Sequence, residues 1–371
     1  MLTSELLTPG CMEACPACPH RTLTMEESLS QKRNWLLSRL SPFSDQMEAV
    51  NSVGASQRLH YRDKVCLHAE YTGAAWKIGV MKRGSVIPIP ECPVHSDRVN
   101  AFLGELLLIL PGFEDFPLKY YVHSAAQVSL VCKSSTLPRP VILNRLKALA
   151  RGHSGIEGLW LHLHPSAGFK VFGKGGWHLL EGEPFSVDES GLRYGPAAFQ
   201  QLLPGLYGQS MGRAASFLRP SEETVVIDLY SGTGSSLRRW VEHHSACLGV
   251  EISGDAIEQA SVNVTGTPVL RGTCKQRLPQ LDEFINSEEN EQKIKLLYAN
   301  PPRTGLEKEV ADWIIHTLEP ERIAYLSCSA GTLRRDLDTL VKGHYLVERL
   351  IPYDFFPQTK HIEVLSLLQK Q

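Results

Sequence analysis

Val225-Val-Ile-Asp228-Leu-Tyr-Ser-Gly232-Thr-Gly234 decides the fold. A β-branched run ends at a carboxylate, passes through a glycine loop and meets Ser235, where a helix is expected to begin. Glycines at a strand-to-helix turn let a ligand approach the backbone near the helix N-terminus. A dinucleotide fingerprint would need a third glycine at position 237, where Leu237 stands, so a pyrophosphate-binding turn is disfavoured. Outward from this stretch the rhythm repeats. Cys247 to Ile252 precedes a helix expected over Asp255 to Val264. Ile294 to Ala299 runs into Asn300-Pro-Pro-Arg303, and Ile323 to Ser327 precedes a helix expected over Thr332 to Val341. Such alternation predicts a parallel α/β sheet. Tyr345 to Ile351 and Ile362 to Leu368 are expected to form an antiparallel pair at its edge.

Toward the N-terminus the pattern differs. A cysteine-bearing loop with Pro9, Gly10, Pro16 and Pro19 precedes a helix expected over Met25 to Leu40. Short runs at Lys64 to Tyr71, Trp76 to Met81 and Gln127 to Cys132 surround a helical segment, Ser96 to Leu110, and predict an antiparallel sheet with helices. Glycines around Phe169 to Phe172 and Trp177 to Glu181 predict a hairpin. A boundary near Pro184 then separates an N-terminal α+β domain, residues 1–185, from an α/β domain, residues 186–371.

Composition narrows the function classes. The 371 residues carry 38 Lys and Arg against 40 Asp and Glu, a net charge of -2, so any nucleic-acid site must be a local basic patch. No cationic stretch leads into an apolar run at the N-terminus. The most apolar segment, Leu103 to Leu110, contains Glu105 and is too short to span a bilayer. A soluble cytoplasmic protein, acting as a monomer without a membrane, is expected. Nine cysteines, an odd number, argue against a disulfide framework.

Chemistry-bearing residues gather at the strand ends. Gly249-Val-Glu251 puts a carboxylate where it can accept both hydrogen bonds of a ribose diol. S-adenosylmethionine has that diol and no pyrophosphate, although an ordinary Rossmann-like sheet binding another ligand fits the same two motifs. The two prolines after Asn300 hold an extended loop on the ligand side. Amino-directed methyltransferases follow a similar Asn-Pro-Pro with an aromatic residue, and Arg303 cannot stack in that way. Cys328, in Tyr325-Leu-Ser-Cys328-Ser-Ala-Gly-Thr332, stands after an apolar strand and before a helix whose N-terminus would lower its pKa, which suits a nucleophile better than a packed thiol. Asp354-Phe-Phe-Pro-Gln-Thr-Lys-His361-Ile-Glu363 brings a polar stretch and a carboxylate to the terminal strand.

These segments together resemble the RNA 5-methyluridine methyltransferases, specifically the short form that lacks an N-terminal TRAM domain and acts on 23S ribosomal RNA. The resemblance runs in order through the cysteine-rich segment, Tyr61-Arg-Asp-Lys-Val65, Glu91-Cys-Pro93, Phe199-Gln-Gln201, Asp228 to Gly234, Gly249-Val-Glu251, Asn300 to Gly305, Ser327-Cys328 with Thr332, and Phe356 to Glu363. It implies a Rossmann-like class I methyltransferase domain using S-adenosylmethionine, with Cys328 as nucleophile and Glu363 as general base. Gln201, Tyr230, Glu251 and Asn300 would line the donor site. Four positions depart from the family: Ser231 for Cys, Ser329 for Asn, and Leu202-Leu203 for Thr-Asn. Other classes remain in view: transfer RNA uracil-C5 methylation, amino-group methylation through Asn300, and RNA binding without catalysis.

Cys11, Cys15, Cys18 and the distant Cys92 offer four soft ligands, enough for a [4Fe-4S] cluster or a four-cysteine zinc site. The resemblance selects the cluster. Zinc or no metal stays open because relatives space the first two cysteines more widely. Cys66, Cys132, Cys247 and Cys274 are expected to be packed thiols. Between Arg58 and Arg83, six basic residues (Arg58, Arg62, Lys64, Lys77, Lys82, Arg83) interleave with His60, Tyr61, Tyr71 and Trp76. That mixture suits an unstacked RNA loop, while a solvated sheet face is the plainer alternative.

Overall fold

All six residues of Thr224–Leu229 are buried, as a β-branched parallel strand covered on both faces requires. The structure, a computed structural model, describes residues 7–168, 170–198 and 201–371. Contacts sort the chain into two compact units. One takes the residues up to Leu23, then Gly54–Leu202 and Pro357–Thr359; the other takes Thr24–Val53, Leu203–Phe356 and Lys360–Gln371. This partition is not a single cut at 185/186. Helix Met25–Arg39 and the turn after it bury Leu36, Leu40, Phe43 and Met47 in the core of the second unit, at about 2 kcal/mol for each fully buried leucine.

The first unit is built on a seven-stranded sheet of β1 (Lys64–Tyr71), β2 (Trp76–Lys82), β3 (Ser85–Pro88), β4 (Leu118–Ser124), β5 (Gln127–Cys132), β6 (Gly158–Leu163) and β7 (Trp177–Gly182), ordered β3-β2-β1-β4-β5-β6-β7. Neighbours are antiparallel except β5 and β6, which are parallel because helix Pro140–Gly152 carries the chain back between them. Helices Asp97–Ile109 and Pro140–Gly152 bury Phe102, Leu106 and Leu146 in one core with Leu130 and Leu161 of the sheet. The expected hairpin is corrected: β7 pairs with β6, residues 170–172 form no strand, and Phe169 lies outside the described residues. Two short strands, β8 (Ser186–Val187) and β9 (Arg193–Tyr194), pair separately.

The second unit holds the α/β sheet: β10 (Thr224–Leu229), β11 (Ala246–Glu251), β12 (Val269–Arg271), β13 (Ile294–Ala299), β14 (Arg322–Ser327), β15 (Tyr345–Tyr353) and β16 (Glu363–Lys370), ordered β12-β11-β10-β13-β14-β16-β15. The first five are parallel, and β16 runs antiparallel to both β14 and β15. The terminal pair is therefore present with its later strand on the inside. Strand order reverses at β10, which opens a crevice beyond the carboxyl ends of β10, β11 and β13, the usual place for a ligand in such sheets. Lys32 and Asp354 form a fully buried ion pair, and Lys32 also donates to the Phe356 carbonyl at 3.2 Å. This fixes the segment that leads toward β16. Among the described residues, no helix is long and apolar enough to cross a membrane.

Candidate active site

Register across β14 and β16 assembles the reactive groups. Ser327 pairs with Val364, so Cys328, one residue beyond β14, and Glu363, the first residue of β16, emerge side by side at the same end of two antiparallel strands. The loop after β13 brings in a third group: the positive charge of Arg303 lies close enough to the Cys328 sulfur to favour its thiolate. Cys328 is half-buried and Glu363 is 5% exposed.

Burial pushes the Glu363 carboxyl up to about 7, with Arg303 opposing the rise. A buried carboxyl poised there can exchange a proton at neutral pH. Burial also raises the Cys328 thiol above the usual cysteine range, and the neighbouring Glu363 adds to the rise; Arg303 and the cysteine's own backbone N–H pull the other way. The expected depression by a helix N-terminus is thus outweighed. Helix Ala330–Lys342 does begin two residues after Cys328, but desolvation and a facing carboxylate dominate. The sequence discloses Arg303 only as a replacement for an aromatic residue, and its link to the thiol depends on the fold of the Pro-Pro loop.

At the crevice, Glu251 ends β11 with both carboxylate oxygens oriented by backbone donors: Gly232 N–H reaches Oε2 at 3.0 Å and Ser253 N–H reaches Oε1 at 2.7 Å. Each oxygen keeps a lone pair, and the residue is half-exposed, so the carboxylate fits a ribose diol. Tyr230 adopts φ 64°, an uncommon backbone state for an aromatic residue that is typical of functional turns. Its hydroxyl lies beside the Cys274 thiol. Asn300 follows β13, half-buried, and its backbone N–H donates to the Leu229 carbonyl at 3.2 Å. Gln201 is half-buried and falls in the first unit; Phe199 and Gln200 of the same motif lie outside the described residues.

In the first unit the four candidate ligand cysteines share one neighbourhood. Burial raises the Cys18 thiol to about 11, and Cys92, Cys15 and Cys11 act on it electrostatically. Gly10 explains the closeness. At φ 80° a Cβ there would lie 2.1 Å from the Glu91 carbonyl oxygen, so glycine lets the Cys11 loop rest on the backbone next to Cys92. Lys82 donates to the Ala14 carbonyl at 2.7 Å, and Arg21 donates to the Cys15 and Glu13 carbonyls. Burial raises the Cys92 thiol above the usual cysteine range, and the backbone at Val94 and His95 opposes the rise. The donor set suits a thiolate-bound metal in kind. As the side chains stand, no three His, Cys, Asp or Glu residues form a metal-holding group among the described residues. Cys132, Cys247 and Cys274 are buried as expected, whereas Cys66 is exposed.

The basic and aromatic stretch is largely consumed by the fold. Arg58 and Trp76 are buried, and Trp76 Nε1–H donates to the Pro111 carbonyl at 2.6 Å. Lys64 donates to the Ala198 carbonyl, and burial lowers its pKa to about 8. His60, Lys77, Lys82 and Arg83 remain exposed.

Known proteins resemble this chain over nearly its whole length. The family described as tRNA (uracil-5-)-methyltransferase matches residues 277–371, the span that contains Asn300, Arg303, Cys328 and Glu363. A 23S rRNA (uracil(1939)-C(5))-methyltransferase of Marinomonas is 28% identical, over 98% of this chain and 81% of the relative. An uncharacterized RNA methyltransferase of Thermosynechococcus vestitus is 25% identical, over 99% of this chain and 85% of the relative. Among solved structures, a Pyrococcus abyssi tRNA (uracil-54, C5)-methyltransferase in complex with S-adenosyl-L-homocysteine shares the fold at TM-score 0.71 and 20% identity, covering 97% of this chain and 86% of that one.

Proposed function

Given that the chain belongs to the RNA 5-methyluridine (uracil-C5) methyltransferase family and is an S-adenosylmethionine-dependent enzyme, we infer that it forms 5-methyluridine in 23S ribosomal RNA, with Cys328 as nucleophile and Glu363 as general base. The observation that carries the mechanism is the β14–β16 register, which sets the thiol and the carboxyl side by side. Uracil C5 is a poor nucleophile until its ring is activated. The Cys328 thiolate forms an S–C6 bond, and the electron pair of the 5,6 double bond moves into an enolate whose C5 becomes nucleophilic. S-adenosylmethionine, when bound, supplies the methyl group as a sulfonium electrophile. Glu363 then takes the C5 proton, the 5,6 double bond re-forms, and the S–C6 bond breaks to return the thiolate. Arg303 faces sulfur throughout and stabilises its anionic form.

Glu251 holds the donor ribose, with Tyr230 and Asn300 beside it. Since C6 inside a duplex is closed to a thiol, the target uridine is unstacked in a loop. The chain works as a monomer in the cytoplasm. Ribosomal RNA is favoured over transfer RNA by the cysteine quartet and by the name of the Marinomonas relative. A transfer RNA target draws support from the description of the matching family. Measuring 5-methyluridine in both RNAs from a strain lacking the gene separates them. Loss from ribosomal RNA alone is expected, loss from transfer RNA alone would move the substrate, and unchanged levels in both would sink the proposal.

The cysteine quartet, Cys11, Cys15, Cys18 and Cys92, binds a [4Fe-4S] cluster whose role is structural, since the steps above exchange no electron. A metal centre can tie loops that a hydrophobic core does not reach. Protein purified without oxygen should be brown with about four irons per chain, and Cys92→Ser should lose iron while donor binding persists. Colourless protein with one zinc would replace the cluster, and metal-free active protein would remove both.

A further inference from the structure

The loop that delivers Arg303 is clamped to the nucleophile's own strand and helix, and a single buried carboxylate lies at the centre of the clamp. Asp336, in helix Ala330–Lys342, is buried. Its Oδ2 accepts from the Tyr325 hydroxyl at 2.6 Å and from the Leu306 N–H at 3.0 Å. Tyr325 is a buried residue of β14, three positions before Cys328, whereas Leu306 ends the loop that carries Asn300 and Arg303. One oxygen therefore bridges the strand and the loop. The other, Oδ1, accepts from Arg335 Nε and Nη2 at 2.9 and 2.7 Å. The same Nη2 donates to the Thr304 and Leu306 carbonyls at 2.9 and 3.1 Å, and Thr332 Oγ1 donates to the Arg303 carbonyl at 3.1 Å. Gly305 makes the closeness possible: at φ 74° its Cβ would lie 2.4 Å from Asp336 Oδ2.

We propose that Asp336 is a positioning residue for methyl transfer, which locks the Arg303–Leu306 end of the loop to β14 and so holds the Arg303 guanidinium beside the Cys328 sulfur, while Asn300 is held separately by its own N–H bond to the Leu229 carbonyl. The inference rests on Cys328 being the nucleophile. Asp336 touches neither substrate nor the reacting sulfur. Its contribution is to remove the loop's freedom to carry Arg303 away, and a displacement of about 1 Å at such a group can cost about a hundredfold in rate. Asparagine in its place keeps the shape, but one of the two oxygens becomes an amide donor facing either the Tyr325 and Leu306 donors or Arg335, so one side of the clamp opens.

The test follows covalent complex formation between the full chain and 23S ribosomal RNA transcribed with 5-fluorouridine, in the presence of S-adenosylmethionine, as a function of pH. Asp336→Asn should trap about a hundredfold more slowly. The midpoint of its pH dependence should move upward because the thiol has lost its facing cation, and donor affinity should stay within about twofold. Tyr325→Phe, which removes one bond and leaves the carboxylate, should shift both readouts in the same direction by less. It carries the test with Gly305→Ala if Asp336→Asn does not fold. Folded variants that trap at the wild-type rate and pH dependence would overturn the proposal. So would a slowed rate that merely follows lost donor binding with an unmoved pH midpoint. A wild type that traps no RNA would instead overturn the nucleophile assignment, and this inference with it.

Discussion

Cys328→Ala should lower methyl transfer to RNA by at least about 10⁴-fold, as removal of a covalent nucleophile does in other enzymes, and should abolish the covalent complex with 5-fluorouridine RNA. The expectation follows from the order of bond changes. Without sulfur no bond forms at C6, so C5 never gains the electron density that accepts a methyl group. The donor site should be indifferent, since Glu251, Tyr230 and Asn300 lie on β11, β10 and β13 or their loops while the lost atom follows β14. Calorimetric titration with S-adenosylmethionine should therefore give an affinity within about twofold of wild type. Methyl transfer that survives the substitution would support amino-group methylation through Asn300 and would remove the uracil-C5 chemistry altogether.

Glu363→Gln should produce an enzyme that is both jammed and more stable. Methyl transfer can proceed, but the C5 proton has no acceptor and the cysteine stays bonded to C6, so RNA should accumulate on the protein in a gel under denaturing conditions. The substitution also removes a negative charge that holds the thiol up, so formation of this complex should begin at lower pH than trapping by wild type. The stability effect has a definite sign. In the folded chain the carboxyl titrates at about 7 rather than 4.5. From about 4.5 to about 7 the unfolded chain gives up the proton while the folded chain keeps it. Wild-type stability should fall across that window by on the order of 3 kcal/mol and level off above it. Glutamine carries no such penalty, so urea midpoints for the variant should exceed those of wild type at pH 8 and converge with them near pH 4. A variant no more stable than wild type at pH 8 would show that burial of Glu363 is not the cost assigned to it.

Much of the α/β unit is legible in sequence because its strands are buried on both faces. Val225 to Leu229, Leu296 to Ala299 and Ile323 to Leu326 are short apolar runs that end at residues of unusual chemistry. Strand β12 escapes because Val269–Arg271 is three residues long and none of them is buried. Helix Cys274–Ile285 escapes because Pro279 sits inside it, and sequence rules read such a proline as a break. Strands β4 and β6 of the first unit, and the parallel pairing of β5 with β6, depend on a helix whose partners lie far along the chain. The two reactive residues are recognisable one at a time, but their adjacency is a matter of register between strands that β15 separates in sequence. Arg303 becomes part of the site only through that geometry, and the raised thiol only through burial, which no local pattern records.

The place of β16 bears on how the enzyme is made. Among the strands described it is synthesised last, yet it fills the gap between β14 and β15. During translation, Cys328 is laid down well before Glu363. Under the proposed roles, a chain halted between them would carry the nucleophile without the base. It would also lack the strand that closes the sheet, leaving β14 with an open edge of the kind that chaperones and proteases detect. Under the proposed roles, base and closing strand arrive in the same stretch of chain, so an incomplete product would lack both at once.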